Sequence, residues 1–162
     1  MRTTVIERAG RRSAGAITEL IHASSAYQGR YASSIAGYRV TPGYVARHLV
    51  FRAADAGGRL LGFYALVADP PEAAELDLLF VADHAQGRGL GRRLVDHMLG
   101  QARLAGLPGV RVVSHPPAES FYRRTGARRV GTLPAAPSGV DWERPELWWP
   151  LGPPPAAEPP PR

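Results

Sequence analysis

The sequence predicts an α/β fold of the α+β kind: a mixed, mostly antiparallel central sheet of six to seven strands, with helices on both faces. Two apolar runs are joined by DAGG at 55–58, a strong hairpin signal. A strand, a glycine-rich turn and an amphipathic helix follow one another between residues 75 and 105. A short β-branched run at 110–113 follows that helix and suits a buried strand beside the strand at 75–81.

Length and composition predict one domain. A chain of 162 residues can bury one sizeable core, which we place in residues 1–151, and the proline-rich end at 152–162 is expected to be a disordered tail. The absence of cysteine excludes disulfides, thiolate catalysis and cysteine-type zinc sites. No segment has the hydropathy of a membrane span or a signal peptide, so we expect a cytoplasmic protein without membrane partners.

The positive charge is not concentrated in a basic run of the kind that nucleic-acid-binding proteins carry. The net charge is +6 and the pI is near 10.5, and all twenty cationic side chains are arginine. These arginines are scattered, with no run longer than a pair, so a basic enzyme is favoured over a nucleic-acid-binding domain. Positive charge near Arg88 and Arg92 would still suit a small polyanionic ligand.

The N-terminal part of the chain predicts two helices within an antiparallel meander. A helix is expected from Ser13, its N-cap, through Ser24, because the apolar residues between them recur at helical spacing. Thr41 followed by Pro42 is a good helix start. The strands of this part are predicted at 3–8, 48–54, 59–67 and 75–81.

The stretch from 75 to 105 organises the rest of the chain. In its strand, the apolar residues at 76, 78 and 80 alternate with Glu75 and Asp77, which predicts one apolar face and one face that begins acidic. The helix after the glycine turn is amphipathic and is expected to stop before Gly106 and Pro108. Beyond it we predict a strand at 110–113, a helix at 118–125 and strands at 129–133 and 146–149.

The glycine-rich turn has the chemistry of an anion cradle. Gly87, Gly89 and Gly91 leave the backbone bare where a helix begins, so that successive N–H groups and the helix dipole can meet an oxygen-rich ligand. Arg88 can add a bidentate contact. A P-loop is excluded because the chain has no lysine, and a dinucleotide fingerprint would need glycine or alanine at Arg92. A pyrophosphate is therefore the expected ligand.

The run QGRGLG at 86–91 resembles the acyl-CoA-binding motif Gln/Arg-x-x-Gly-x-Gly/Ala of the GNAT superfamily of N-acetyltransferases. A second resemblance lies in AESFYRRTGARRVG at 118–131, which is similar to that family's late helix and following strand. The likeness extends over most of residues 1–150. It implies the acyl-CoA N-acyltransferase fold, with the sheet splayed between the strands at 75–81 and 110–113.

The resemblance also implies an activity and a cosubstrate. The reaction would move an acetyl group from acetyl-CoA to the primary amine of a small molecule or an exposed protein amine, by direct attack through a tetrahedral intermediate and without a metal. The residues that would hold acetyl-CoA are the main chain of Leu79, Phe80 and Val81, with Gln86, Gly87, Arg88, Gly89, Leu90, Gly91 and Arg92.

The chemistry requires a base and an acid. A primary amine with a pKa of about 10.4 is protonated at neutral pH and must lose a proton before it attacks. Glu75 is the preferred base because it precedes Gln86 by eleven residues, a spacing known in the family; Asp77, His115 and a water relay remain alternatives. Tyr122 takes the family's tyrosine position and would protonate the leaving thiolate.

The acceptor cannot be identified from the sequence. The resemblance implies that Tyr27, Tyr31 and Tyr38 face it, within pocket-forming segments at 26–44 and 134–146. Trp142, Trp148 and Trp149 could form a homodimer contact. Two other functions stay open: a non-catalytic acyl-CoA sensor, which would not need Tyr122 or Glu75, and a nucleic-acid-binding module, which would show steep salt dependence.

Overall fold

The computed structural model describes residues 3–27, 29–135 and 142–152, and contains a seven-stranded sheet with the order β1-β2-β3-β4-β5-β7-β6. The strands are β1 (Val5–Arg8), β2 (Leu49–Ala54), β3 (Leu60–Val67), β4 (Glu75–Val81), β5 (Gly109–Val113), β6 (Arg128–Leu133) and β7 (Arg144–Pro150). The α-helices are α1 (Ala14–Ala23), α2 (Pro42–Arg47), α3 (Leu90–Leu104) and α4 (Glu119–Arg124). Every strand pair is antiparallel except β4 with β5. This confirms the predicted fold class.

The predicted hairpin joins β2 to β3. Asp55 Oδ1 accepts hydrogen bonds from the backbone N–H groups of Gly57, at 3.0 Å, and Arg59, at 2.9 Å. Gly58 has φ +84°, a left-handed conformation that glycine adopts without strain. The two strands therefore pair where the sequence signal placed the turn.

A β-bulge in β4 overturns one prediction. In the register with β3, Leu78 pairs with Ala65 but Leu76 pairs with Leu66, so Asp77 has no partner residue. The extra residue reverses the alternation of side chains beyond it. Leu76 consequently packs in the core under α3, whereas Leu78 packs in the core under α1. The prediction that the apolar residues at 76, 78 and 80 share one face was wrong, because a period of two assumes an unbroken ladder.

The sheet splits between β4 and β5. These parallel strands share one register pair, Glu75 with Arg111, and the Arg111 N–H donates to the carbonyl of Ala74 at 2.9 Å. Toward their carboxyl ends no further pairs form between them, while β5 continues to pair with β7. The splay between these strands is confirmed, and it opens a gap in the middle of the sheet.

Helices cover both faces of the sheet. One core lies under α1 and α2, with Ile17, Val45 and Phe63 fully buried, and the other lies under α3, with Leu94 and Met98 fully buried. The expected α2 start is confirmed, since the Thr41 side chain accepts from the backbone N–H of residue 44 at 3.1 Å. The expected cap at Ser13 is wrong: its side chain makes no capping bond, because a 3₁₀ turn at Arg11–Ser13 already gives its backbone a helical conformation.

Two of the three tryptophans expected at a dimer contact are buried within the chain. Trp142 is 6% exposed and Trp149 is 2% exposed, and only Trp148 is half-buried. The predicted tail beyond Gly152 lies outside the described residues. Within the described residues, no helix has the length and apolar character needed to cross a membrane.

Candidate active site

The glycine turn is open where α3 begins. Gly87 and Gly89 have φ of +77° and +76°, and a Cβ added at either would meet nothing within 4 Å. Gly89 is the N-cap of α3, and no side chain caps the helix and no acidic residue stands in its first turn. The first N–H groups of α3 therefore keep their free positive potential, beside the exposed Arg88 and Arg92.

Asp83 holds this turn to the segment that follows α1. Its Oδ1 accepts from the Ser25 N–H at 3.2 Å, from the Ser25 hydroxyl at 2.9 Å and from Gln86 Nε2 at 3.3 Å. Gln86 Nε2 also donates to the carbonyl of Val81 at 3.3 Å. The Gln86 amide nitrogen therefore makes its hydrogen bonds to the protein, and these bonds tie the turn to the end of β4.

Two cavities lead from this turn into the split. The turn cavity, of about 160 Å³, extends from Gln86 and Gly91 to Tyr122. The split cavity, of about 240 Å³, lies between β4 on one side and β5 with the start of β7 on the other. Both cavities are lined by Tyr27, Leu79, Phe80, His115 and Tyr122. They therefore form one passage from the glycine turn into the gap in the sheet.

The main chain of β4 supplies donors to this passage. The Ala82 N–H donates to the carbonyl of Leu61, on β3, at 2.8 Å. Because backbone groups alternate in direction along a strand, the N–H of Phe80 also faces β3, while those of Leu79 and Val81 face the split. Of the three predicted main-chain donors, two are thus directed into the passage.

Tyr122 stands at the junction of the two cavities. Its side chain, on α4, is 8% exposed and packs edge-on against Trp149 with ring centroids 5.6 Å apart. None of the described residues hydrogen-bonds to its hydroxyl group. Burial raises the pKa of Tyr122 above that of an ordinary tyrosine, so the hydroxyl keeps its proton at neutral and alkaline pH. It is a proton donor facing the passage.

The two candidate carboxylates differ in position. Asp77, at the bulge, lines the split cavity and accepts a hydrogen bond from the Tyr44 hydroxyl at 2.5 Å. Glu75 is not part of the cavity lining; its carboxylate lies 3.9 Å from a nitrogen of Arg111. Burial raises the pKa of Glu75 above its ordinary value. The structure therefore places Asp77, the less favoured of the two sequence-based bases, in the lining of the split cavity, and Glu75 outside it.

The aromatic residues of the 26–44 segment are divided between lining and support. Tyr27 and Tyr38 line the split cavity, and the ring of Tyr27 stacks on His115 with centroids 4.6 Å apart. Tyr31 instead supports the wall, edge-on to His115 and to Trp142. Burial lowers the pKa of His115, which is therefore neutral at pH 7.

Sequence reasoning placed two residues of this site within pocket-forming segments but singled out neither. Tyr44 belongs to no motif, but it orients Asp77. Arg144, the first residue of β7, lines the split cavity. It lies in the unpatterned segment at 134–146, so no motif marks it either. Among the described residues, no group of three or more His, Asp or Glu side chains could hold a metal ion.

Comparisons with known proteins agree with this geometry. Residues 15–127 match the profile of the acetyltransferase (GNAT) family. A sequence comparison with curated proteins gives no significant match.

Solved structures share the fold. A GCN5-related N-acetyltransferase from Rhodopseudomonas palustris is 20% identical, with a TM-score of 0.75 over 93% of this chain and 98% of its own. A phosphinothricin acetyltransferase from Sinorhizobium meliloti, solved with acetyl-CoA, is 20% identical, with a TM-score of 0.70 over 97% and 93%. The ribosomal-protein-S18-alanine N-acetyltransferase from Escherichia coli is 17% identical, with a TM-score of 0.68 over 93% and 95%.

Proposed function

Since the chain belongs to the GNAT family of acetyltransferases, we propose that it transfers an acetyl group from acetyl-CoA to the primary amine of a small molecule or an exposed protein amine. The observation that carries this proposal is the passage from the glycine turn to Tyr122 and on into the split. One end offers N–H groups and cationic side chains, and the other end offers a carboxylate, which together suit a polyanionic thioester and an amine.

The residues present fit acetyl-CoA. The uncapped start of α3, with Gly87 and Gly89 leaving space above the backbone, would bind the pyrophosphate. The N–H groups of Leu79 and Val81 face the split and have no partners from β5. They would donate hydrogen bonds to the pantetheine arm in the way that they would to a neighbouring strand. A β4 strand paired with β5 along its whole length could not bind the arm in this way.

The bound cosubstrate would supply an acetyl group activated as a thioester. The chain's residues would supply the rest: Asp77 takes a proton from the amine, and the N–H groups of β4 stabilise negative charge on the carbonyl oxygen. Tyr122 donates a proton to the departing sulfur. Glu75 lies outside the cavity lining, with its carboxylate toward Arg111, and is assigned no direct step. The amine nitrogen forms the new C–N bond as the C–S bond breaks; afterwards Asp77 releases its extra proton to solvent and Tyr122 takes one from solvent, which restores both groups.

The size of the split cavity favours a small acceptor. Its volume of about 240 Å³ lies just below the roughly 300 to 1,000 Å³ of pockets that enclose drug-sized ligands. A small amine would be enclosed between β4 and β5, with its nitrogen near Asp77.

Two measurements test the proposal. Calorimetry should detect uptake of acetyl-CoA, and a panel of amines should give amine-dependent thiol release. The chain has no cysteine, so every thiol detected comes from coenzyme A. Uptake without thiol release for any amine would indicate an acyl-CoA sensor instead, and absence of uptake at millimolar acetyl-CoA would overturn the proposal.

A further inference from the structure

Some of the charged residues around the split cavity have ion-pair partners, and others have none among the described residues. Arg111 bonds to Glu146 at 2.9 Å and lies 3.9 Å from Glu75, so this arginine already has carboxylate partners. Among the described residues, Asp77 and Arg144 are the charged ones that line the cavity itself. They form no ion pair with each other or with any other residue that the structure describes.

Arg144 has a buried donor that no protein group satisfies. Its Nε is buried and has no hydrogen-bond partner within the described ranges, while the residue as a whole lines the cavity. Burying a cation that is not fully hydrogen-bonded costs free energy, and an anion bound beside the guanidinium would offset that cost. The planar guanidinium fork matches a carboxylate through two parallel hydrogen bonds. The cavity wall formed by β7 is therefore built to receive an anionic group.

Asp77 offers the opposite charge to the same space. The bulge directs it into the cavity, and the hydrogen bond from Tyr44 fixes its orientation. A molecule that lies between Asp77 and Arg144 meets a negative group at one end and a positive group at the other. Deepening the proposed function, on which this inference rests, we propose that the acceptor is a free amino acid whose carboxylate binds Arg144 and whose amine is directed to Asp77.

The uncharged residues that line the split cavity indicate which side chain the amino-acid acceptor carries. Apart from neutral His115 and a serine, the other described lining residues are aromatic or aliphatic; the aromatic ones are Tyr27, Tyr38, Phe80, Tyr122 and Trp142. Once the amine and the carboxylate are matched, the described part of the lining has no charged residue left for a third charge. A charged side chain would be buried without a partner. The acceptor is therefore an amino acid with an apolar or aromatic side chain.

Matched pairs of acceptors test this inference. Phenylalanine and leucine are compared with phenethylamine and isoamylamine, which lack only the carboxylate. For the natural protein we expect kcat/KM to be about 10- to 100-fold higher for the amino acids, the range given by a pair of charge-assisted hydrogen bonds. Arg144→Gln should abolish this preference while leaving the KM for acetyl-CoA unchanged. Arg103→Gln, an exposed arginine on α3, should retain it.

The outcomes separate this inference from the proposed function. Efficient acetylation of the decarboxylated amines, with no preference for amino acids, overturns the inference and leaves the proposed function intact. A folded Arg144→Gln variant that keeps the preference overturns the inference in the same way. If Arg144→Gln does not fold, the matched pairs on the natural protein decide alone. Transfer to no amine at all overturns both.

Discussion

The Tyr44 hydroxyl donates a 2.5 Å hydrogen bond to Oδ2 of Asp77, the residue that the bulge adds to β4. This contact joins α2 to the edge of the split cavity. It fixes a carboxylate that would otherwise be free to turn on an exposed segment. The acetyltransferase site therefore depends on an irregularity in the strand and on a helix that lies apart from the glycine turn.

Asp77→Asn is expected to reduce kcat/KM for the amine by about 100-fold, because general-base catalysis contributes roughly 10²- to 10⁴-fold. Glu75→Gln should reduce it much less, since Glu75 does not line the cavity. Steady-state thiol release over a series of amine concentrations measures both. A larger loss in Glu75→Gln than in Asp77→Asn would assign the base to Glu75, acting through water.

Tyr122→Phe is expected to lower kcat by about 100-fold or more, because it removes the proton donor at the junction of the cavities. The affinity for acetyl-CoA, measured by calorimetry, should not change. Tyr64→Phe is the matched control: it removes a buried hydroxyl that bonds to His97 on the α3 side of the sheet, away from both cavities. Undiminished kcat in Tyr122→Phe would leave this residue a packing role only.

Glu75→Gln is expected to change the pH dependence of stability. Burial raises the folded-state pKa of Glu75 above 4.5, so the folded state binds the proton more tightly than the unfolded state. The stability that this group contributes is present below pH 4.5 and is lost as the pH rises through the folded pKa. At pH 7 the variant should have a higher Tm than the natural protein, and near pH 4 the difference should disappear.

The ion pair between Arg111 and Glu146 remains in that variant, so Arg111 keeps a partner. Thermal unfolding at the two pH values checks the prediction. A lower Tm at pH 7 would show that the contact with Arg111 outweighs the burial of the charge.

Gly89→Ala is expected to raise the KM for acetyl-CoA and to destabilise the fold by about 1 to 2 kcal/mol, because an alanine at φ +76° is strained. Gly100→Ala is the control in the middle of α3, where an added Cβ meets nothing within 4 Å. It should stabilise the fold by about 1 kcal/mol and leave the KM unchanged. Urea unfolding and acetyl-CoA titrations measure both effects. An unchanged KM in Gly89→Ala would remove the turn from the binding site.

Gly109→Ala is expected to destabilise the fold by about 3 kcal/mol, the upper part of the range for overpacking. A Cβ at this position would overlap Cζ2 of Trp148, which crosses the first residue of β5. Gly131→Ala, in β6, is the control, because its nearest neighbours are at 4.0 Å. It should change stability by less than about 0.5 kcal/mol. Equal unfolding midpoints for the two variants would contradict this packing.

Much of the fold followed from local patterns. The hairpin at 55–58, the strand at 75–81, the open glycine turn and α3 each depend on residues close together in the chain, so turn chemistry and periodicity were sufficient to predict them. The bulge at Asp77 was not predictable, because it arises from the register that β4 adopts against β3. The Ser13 cap failed for a similar reason: the preceding turn had already set its backbone.

By itself the sequence determined the order of the elements, the open glycine turn and the family motif, all of which are encoded by neighbouring residues. The tertiary structure alone decided which carboxylate lies in the cavity and that Arg144 faces it, since these residues come from strands separated by the split and far apart in the chain. The proposed acceptor follows from that second group of residues, because charges select a ligand by their positions in space.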